Sequence, residues 1–424
     1  MAMTLSGTTS ALGFASAQDD LYWIANSNYS GTTDFKYVFD IYVNGNQKIR
    51  SKVYPDPTTK KGYFDAGPIV RNEIMFDWFT PINDGSSLNP PCLVSTPGLN
   101  GEIGTTYDIR LGYELSGVTY LNQVSGSAYA CNWAAPLLRR KQVPTTLWDN
   151  KLRKFMSNRN RVIDYNFSSK LLIPFWNYNT SYANYYFLKV RYNNSTGSWY
   201  YVPNCQISPI SSAASWWQLD IGVEALSLTL FEDYLPNSFD SYDAIEVGIF
   251  SQSGSTGDGT LLDSVLLKRS CNPNYSPINL YFMNIYGMFD TACFNLVSKL
   301  SLDTERKSYT KLNKSFGNTS VDYFTSVNSG FSTMATDVYK ESKINYSSKT
   351  NWTYKLTMDY PSDENYEWLS ELILSPQIYA EIDGDCYPVT IKNTNYEYNQ
   401  ARVNGLKPLE IEIELNQTRY SFTR

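Results

Sequence analysis

Histidine is absent from the 424 residues of this chain, and with it go the Ser-His-Asp and Cys-His routes to an activated nucleophile. The commonest ligand for zinc and other transition metals is missing too. Charge is scarce: Asp, Glu, Lys and Arg make up 18% of the chain, against about 25% in an average soluble domain. The balance is negative, with a net charge of −6. That is the wrong sign for a protein that neutralises phosphate backbones, so nucleic acid is not expected as a partner. The six cysteines contain no C-x-x-C pair, which argues against a zinc knuckle or a thioredoxin-like motif. They are also too sparse for a disulfide scaffold and read as small buried apolar residues. No run of about 18 apolar residues exists, so no transmembrane helix is expected. The start of the chain ends in Ala15-Ser16-Ala17, similar to a signal-peptidase site, but it lacks a basic leader region. Residues 1–18 read instead as a polar arm ordered by neighbours.

What the chain has in quantity is aromatics, 15% of residues, with 35 tyrosines. Tyr, Thr and Asn with few charges suit half-buried strands and polar turns. The expected fold is mainly β: multiple antiparallel β-sandwich domains, Ig-like or jelly-roll, with a few short helices. A first sandwich is expected over 19–135. Tyr37, Phe39, Ile41 and Val43 alternate along one strand, and Asn44-Gly45 supplies a hairpin turn. The return strand runs from Gln47 to Tyr54, with later strands at Tyr107–Leu115 and Ser127–Trp133 and a long loop from Pro81 to Gly104. Residues 136–165 form a basic linker. Leu147, Trp148, Leu152, Phe155 and Met156 there are spaced as on one helix face, which predicts a short helix. A second sandwich is expected over 166–276, with strands such as Leu171–Trp176, Tyr185–Tyr192, Leu226–Phe231 and Ala244–Phe250. The C-terminal β domain, 277–424, carries a helix at about 362–375, with Trp368, Leu369, Leu372 and Ile373 as its buried stripe and Ser375-Pro376 as its stop. The run Leu409–Leu415 alternates Leu or Ile with Glu, giving one apolar and one acidic face.

Few residues suggest chemistry. Asp383 and Asp385, around Gly384, place two carboxylates two residues apart, as a weak candidate for a cation, but the ligand series of a calcium loop is missing. An Asp-Gly hairpin turn accounts for them equally well. No catalytic or cofactor-binding residue is assigned. Acidic pairs such as Glu232-Asp233, or Asp240 with Asp243, leave a carboxylate-based glycan depolymerase open. The clusters Trp199-Tyr200-Tyr201 and Trp216-Trp217 leave open a receptor- or glycan-binding fibre, or buried subunit interfaces. The strongest pattern is electrostatic. Arg139, Arg140, Lys141, Arg153 and Lys154 lie in the basic linker, whereas residues 359–385 contain Asp363, Glu364, Glu367 and Glu371 with no Lys or Arg. These two segments predict head-to-tail docking of identical subunits.

Several stretches resemble virion proteins of tailed bacteriophages, of the crAss-like and Bacteroidetes-phage type. They are Phe35–Asn46 (FKYVFDIYVNGN) with Gly62–Asp65, then Phe155–Arg159 (FMSNR), Ile278–Asn295 (INLYFMNIYGMFDTACFN) and Trp368–Tyr379 (WLSELILSPQIY). Gly287-Met288 stands where such proteins often carry Gly-Gly. The resemblance spans most of the chain in order, through short segments. It implies a non-enzymatic structural component of the tail or head-tail region, a ring, adaptor or baseplate protein. Its partners would be copies of itself and other virion proteins, with a host surface glycan or receptor as a further option. The resemblance carries over no catalytic residue and no cofactor.

Overall fold

A computed structural model describes residues 3–7, 14–74, 93–95, 104–131, 154–165, 171–177, 184–193, 199–206, 215–220, 244–253, 260–269, 274–311, 314–316, 334–336, 342–358, 363–392, 409–416 and 420–423. Among them the chain is mainly β, with antiparallel sheets and two helices, as the composition predicts.

The first unit is built from β1 (Met3–Gly7), β2 (Phe14–Ser16), β3 (Tyr22–Ser27), β4 (Lys36–Val43), β5 (Asn46–Val53), β6 (Gly62–Asp65), the short helix α1 (Gly67–Arg71), β8 (Gly104–Leu115) and β9 (Val118–Cys131), with β7 (Leu93–Ser95) between α1 and β8 in the chain but outside this unit. One sheet has the order β1-β3-β6 and a second the order β2-β9-β8-β4-β5. They share one core, so this is a sandwich of three strands on five. The alternation read from β4 is real: Tyr37, Phe39, Ile41 and Val43 point inward and are buried, joined by Tyr107, Ile109 and Leu111 from β8. Asn44 and Gly45 both take positive φ, 50° and 78°, the left-handed pair that a two-residue hairpin requires. Ser116 and Gly117 do the same between β8 and β9, at 48° and 81°. The second of these strands therefore starts nine residues earlier than expected, at Val118 rather than Ser127. The described stretches of the expected arm, 3–7 and 14–18, are ordered within the chain. β1 pairs antiparallel with β3, and β2 pairs parallel with β9.

The outer face of the five-stranded sheet carries ion pairs. Arg50 donates from Nε to Oδ1 (2.7 Å) and from Nη2 to Oδ2 (2.9 Å) of the buried Asp40. Lys52 at 2.6 Å and Lys36 at 3.1 Å both donate to Glu114. These hydrogen bonds hold the Glu114 carboxyl down at about 2, below the ~4.3 of an unfolded glutamate. The stability it contributes is therefore full above about pH 4.5 and is lost as the pH falls toward 2. Glu114→Gln is expected to be destabilising at neutral pH by an amount that shrinks through that window. Thermal melts of both proteins at stepped pH check this; a gap independent of pH contradicts it.

The second unit comprises β10 (Val162–Tyr165), β11 (Leu172–Asn177), β12 (Asn184–Asn193), β13 (Trp199–Gln206), β14 (Ser215–Asp220), β15 (Ala244–Ser253) and β16 (Thr260–Arg269). Its five-stranded sheet runs β10-β16-β15-β12-β13, and a smaller sheet runs β11-β14-β7. β7 comes from the expected long loop at 81–104, which thus contributes a strand to the second unit. The expected strand Leu226–Phe231 lies outside the described residues.

The third unit contains β17 (Ile278–Met283), β18 (Phe289–Phe294), β19 (Lys299–Thr310), β20 (Lys314–Phe316), β21 (Met334–Thr336), β22 (Lys343–Met358), α2 (Asp363–Leu374), β23 (Ile378–Ile382), β24 (Asp385–Ile391), β25 (Leu409–Leu415) and β26 (Tyr420–Thr423). An eight-stranded sheet runs β18-β17-β23-β24-β25-β22-β19, with β26 also on β22. Helix α2 lies where the sequence puts it. Trp368, Leu369 and Leu372 pack on Leu280, Phe282, Ala380, Ile411 and Ile413; each such fully buried side chain stabilises the unit by ~1.5–3 kcal/mol. Leu409–Leu415 presents Ile411 and Ile413 to this core. Its glutamates face the other way and meet lysines: Lys355 lies 2.6 Å from Glu410, and Lys392 lies 3.3 Å from Glu414.

Candidate functional site: a buried junction and an exposed ribbon

Residues 154–161 (KFMSNRNR) hold the units together. The sequence predicts a short helix along Leu147, Trp148, Leu152, Phe155 and Met156; the first three lie outside the described residues, and the described part, 154–165, is irregular and then strand β10. Short polar side chains compete with the helical backbone pattern. Ser157 Oγ accepts from the amide of Arg159 (3.1 Å), and Asn160 Oδ1 accepts from the amide of Val162 (3.0 Å). Phe155 and Met156 are buried, as their apolar character predicts. The Met156 amide donates to Pro174 O on β11 (2.7 Å), and the Phe155 amide donates to Asp263 on β16 (3.0 Å). Arg161 clamps the turn by donating to Phe155 O and to Asp263.

On its other side the segment enters the third unit. Asp290 on β18 accepts from Ser157 Oγ at 2.7 Å and from Trp368 Nε1 at 2.8 Å. Asn158 donates to Glu371 on α2 (2.7 Å) and accepts from Tyr286 (2.8 Å). Asn284 donates to Met156 O (2.9 Å), and the amide of Asn160 donates to Asn365 (3.3 Å). Arg159 reaches the Thr291 carbonyl (2.9 Å), with its guanidinium 4.8 Å from the Trp368 ring centre. Burial dominates the electrostatics. It lowers Arg159 to about 10, raises Asp290 despite the donors of Ser157 and Trp368, and raises the Cys293 thiol to about 11. An arginine at that value stays cationic at neutral pH. The β17–β18 turn is tight although Met288 follows Gly287: Gly287 has φ of 72°, its amide donates to Asn284 O (2.9 Å), and Met288 is buried.

The sequence-predicted site residues divide accordingly. Arg139, Arg140, Lys141 and Arg153 lie outside the described residues, and Lys154 is exposed. Asp363, Glu364 and Glu367 lie on α2, but their side chains are outside the described set. Glu371, expected at a contact between subunits, lies on α2. It is 7% exposed, and its carboxylate accepts from Asn158 and from the amide of Ile285 (3.1 Å) within the chain. The basic and acidic segments do meet, at this point, inside one subunit. Asp383 and Gly384 have φ of 54° and 87° and make the two-residue turn of the β23–β24 hairpin. Asp383 and Asp385 are both exposed. No group of three or more Cys, Asp or Glu among the described residues is arranged to hold a metal. Cys293 and Cys386, expected to be buried, are half-buried. No helix among the described residues is long and apolar enough to cross a membrane. Asp290, Ser157 and Asn284 were missed, although polar residues inside the apolar run INLYFMNIYGMFD are the signal for buried hydrogen bonding.

The second feature is a ribbon. β19 pairs with β22 along its whole length, yet every residue of β19 is exposed on both faces. It closes the eight-stranded sheet on one side, and among the described residues no strand pairs with its outer edge. Leu300 and Leu302 stand opposite Tyr354 and Trp352 and share the face that α2 covers farther along the sheet.

No family model matches the chain, and no curated protein is similar to it.

Proposed function

We propose that the chain is a non-enzymatic structural component of a tailed-phage virion, a ring, adaptor or baseplate protein of the tail region that assembles as a homo-oligomer. The observation that carries this reading is spatial. The segments on which the resemblance rests are far apart in sequence but pack together. Phe155–Arg159, Ile278–Asn295 and Trp368–Tyr379 form the buried junction through Ser157, Asp290, Trp368, Asn158 and Glu371. In the first sandwich Phe39 stacks on Phe64 at 5.2 Å, joining Phe35–Asn46 to Gly62–Asp65. Motifs that share one buried network have a physical reason to occur together. An irregular segment bonded to three sheets makes a stiff body, which suits a mechanical role.

The test is density for the chain in intact particles by cryo-electron microscopy. The expected result is several symmetry-related copies in the tail or at the head-tail junction, in contact with one another. A secreted monomer absent from particles would overturn the reading.

A further inference from the structure

We infer that the open edge of β19 is a self-pairing surface, on which two copies of the chain add their eight-stranded sheets edge to edge in antiparallel register centred on Ser301. The inference rests on the reading of the chain as a self-assembling component and names the contact. A strand edge with unpaired backbone groups is a template for another strand, and proteins that avoid pairing shorten, bulge or cover it. Here the edge is twelve residues long. It contains no proline, and the only register shift against β22 comes at Lys307/Ser308. The stretch before that shift is regular and apolar on one face: Leu300 and Leu302 are 49% and 52% exposed.

Charge selects the occupant. In the antiparallel pairing about Ser301, Leu300 of each copy faces Leu302 of the other, and Lys299 faces Asp303, each twice by symmetry. Lys299 stands opposite Lys355, which Glu410 already holds at 2.6 Å, and an acidic neighbour on the open side gives Lys299 a partner of its own. Asp303 is 68% exposed, with Lys392 at 3.6 Å, and so remains open to a second cation. Moving the register so that Leu302 faces itself keeps only one leucine pair and sets Leu300 against Thr304. The pairing about Ser301 thus matches leucine with leucine and lysine with aspartate, and it uses the half of the strand without the register shift. It also continues the apolar face of Leu300, Leu302, Trp352 and Tyr354 from one sheet into the next.

Two variants test this, with wild-type cysteines retained in both. Ser301→Cys brings two thiols together at the symmetry axis, where opposed Cα atoms lie within the ~4.4–6.8 Å span of a disulfide. Mild oxidation is expected to convert most of it to a covalent dimer, above the wild-type background, whereas Ser308→Cys is not. Leu302→Lys, at an exposed position, is expected to leave the circular dichroism unchanged and to lower the mass in light scattering by about twofold. Failure of Ser301→Cys to link, or an unchanged mass in Leu302→Lys, overturns the edge contact. An oligomer that survives Leu302→Lys leaves self-assembly standing by another surface. A wild-type monomer at all concentrations overturns both readings.

Discussion

Asp290→Leu is expected to destabilise the junction by about 2–6 kcal/mol, the cost of leaving two buried donors without their acceptor at about 1–3 kcal/mol each. The aspartate does two things at once. It accepts from Ser157 Oγ and Trp368 Nε1, and its negative charge supports the guanidinium of Arg159. Leucine fills similar space but strands two donors and leaves the cation uncompensated. Unfolding of a multi-unit chain need not be two-state, so local hydrogen exchange is the appropriate measurement. Amides of Ile278–Phe294 and 155–161 are expected to exchange on the order of a hundred- to a thousand-fold faster, with Lys36–Val43 unchanged. Asp290→Asn keeps an acceptor and should cost less, about 1–3 kcal/mol. Adding Arg159→Met to Asp290→Leu removes the stranded charge and should recover part of the loss. Wild-type exchange in the leucine variant would remove Asp290 from the centre of the junction.

That aspartate shows where sequence reasoning worked and where it stopped. Local signals with a steric cause were legible: Asn44-Gly45, the alternation of Tyr37–Val43, the glutamate stripe of Leu409–Leu415, and the apolar stripe of α2. Each is decided within a few residues. Ser116-Gly117 uses the same left-handed geometry as Asn44-Gly45, but serine is a weaker sign of it, so β9 was placed too short. Phe155 and Met156 end a run of apolar residues whose helical spacing predicts helix. Tertiary contacts with Asp263, Asp290 and Glu371 overrode that pattern, and those partners lie more than a hundred residues away. β19 is exposed on both faces, so no buried face imposes a pattern along most of it. The charge complementarity between the basic linker and the acidic helix was legible. At Glu371 the linker contributes the neutral amide of Asn158, a pairing that the composition of the two segments could not reveal.

Gly126→Val is expected to carry the next largest effect, about 3 kcal/mol from overpacking, confined to the first sandwich. Trp23 lies buried between two glycines. A Cβ on Gly7 of β1 would come within 2.7 Å of its indole, and one on Gly126 of β9 within 2.6 Å. Neither glycine has positive φ, so it is space and not backbone freedom that requires them. The ring cannot retreat, because it meets Tyr107 edge-on at 6.1 Å in the shared core. On the same face of β9, Ala128 and Ala130 are also small and buried. The sequence Gly126-Ser127-Ala128-Tyr129-Ala130 thus alternates small inward residues beneath one large ring. The control is Trp23→Leu, which vacates the space a valine would enter. Trp23→Leu alone leaves a cavity and is destabilising. Combined with Gly126→Val it is expected to be less so than the sum of the two changes, giving a coupling of the sign and size seen for residues in contact. Hydrogen exchange in β4 and β8 should follow that order, while Ile278–Phe294 stays protected throughout. Additive effects of the two substitutions would show that Gly126 does not make room for Trp23.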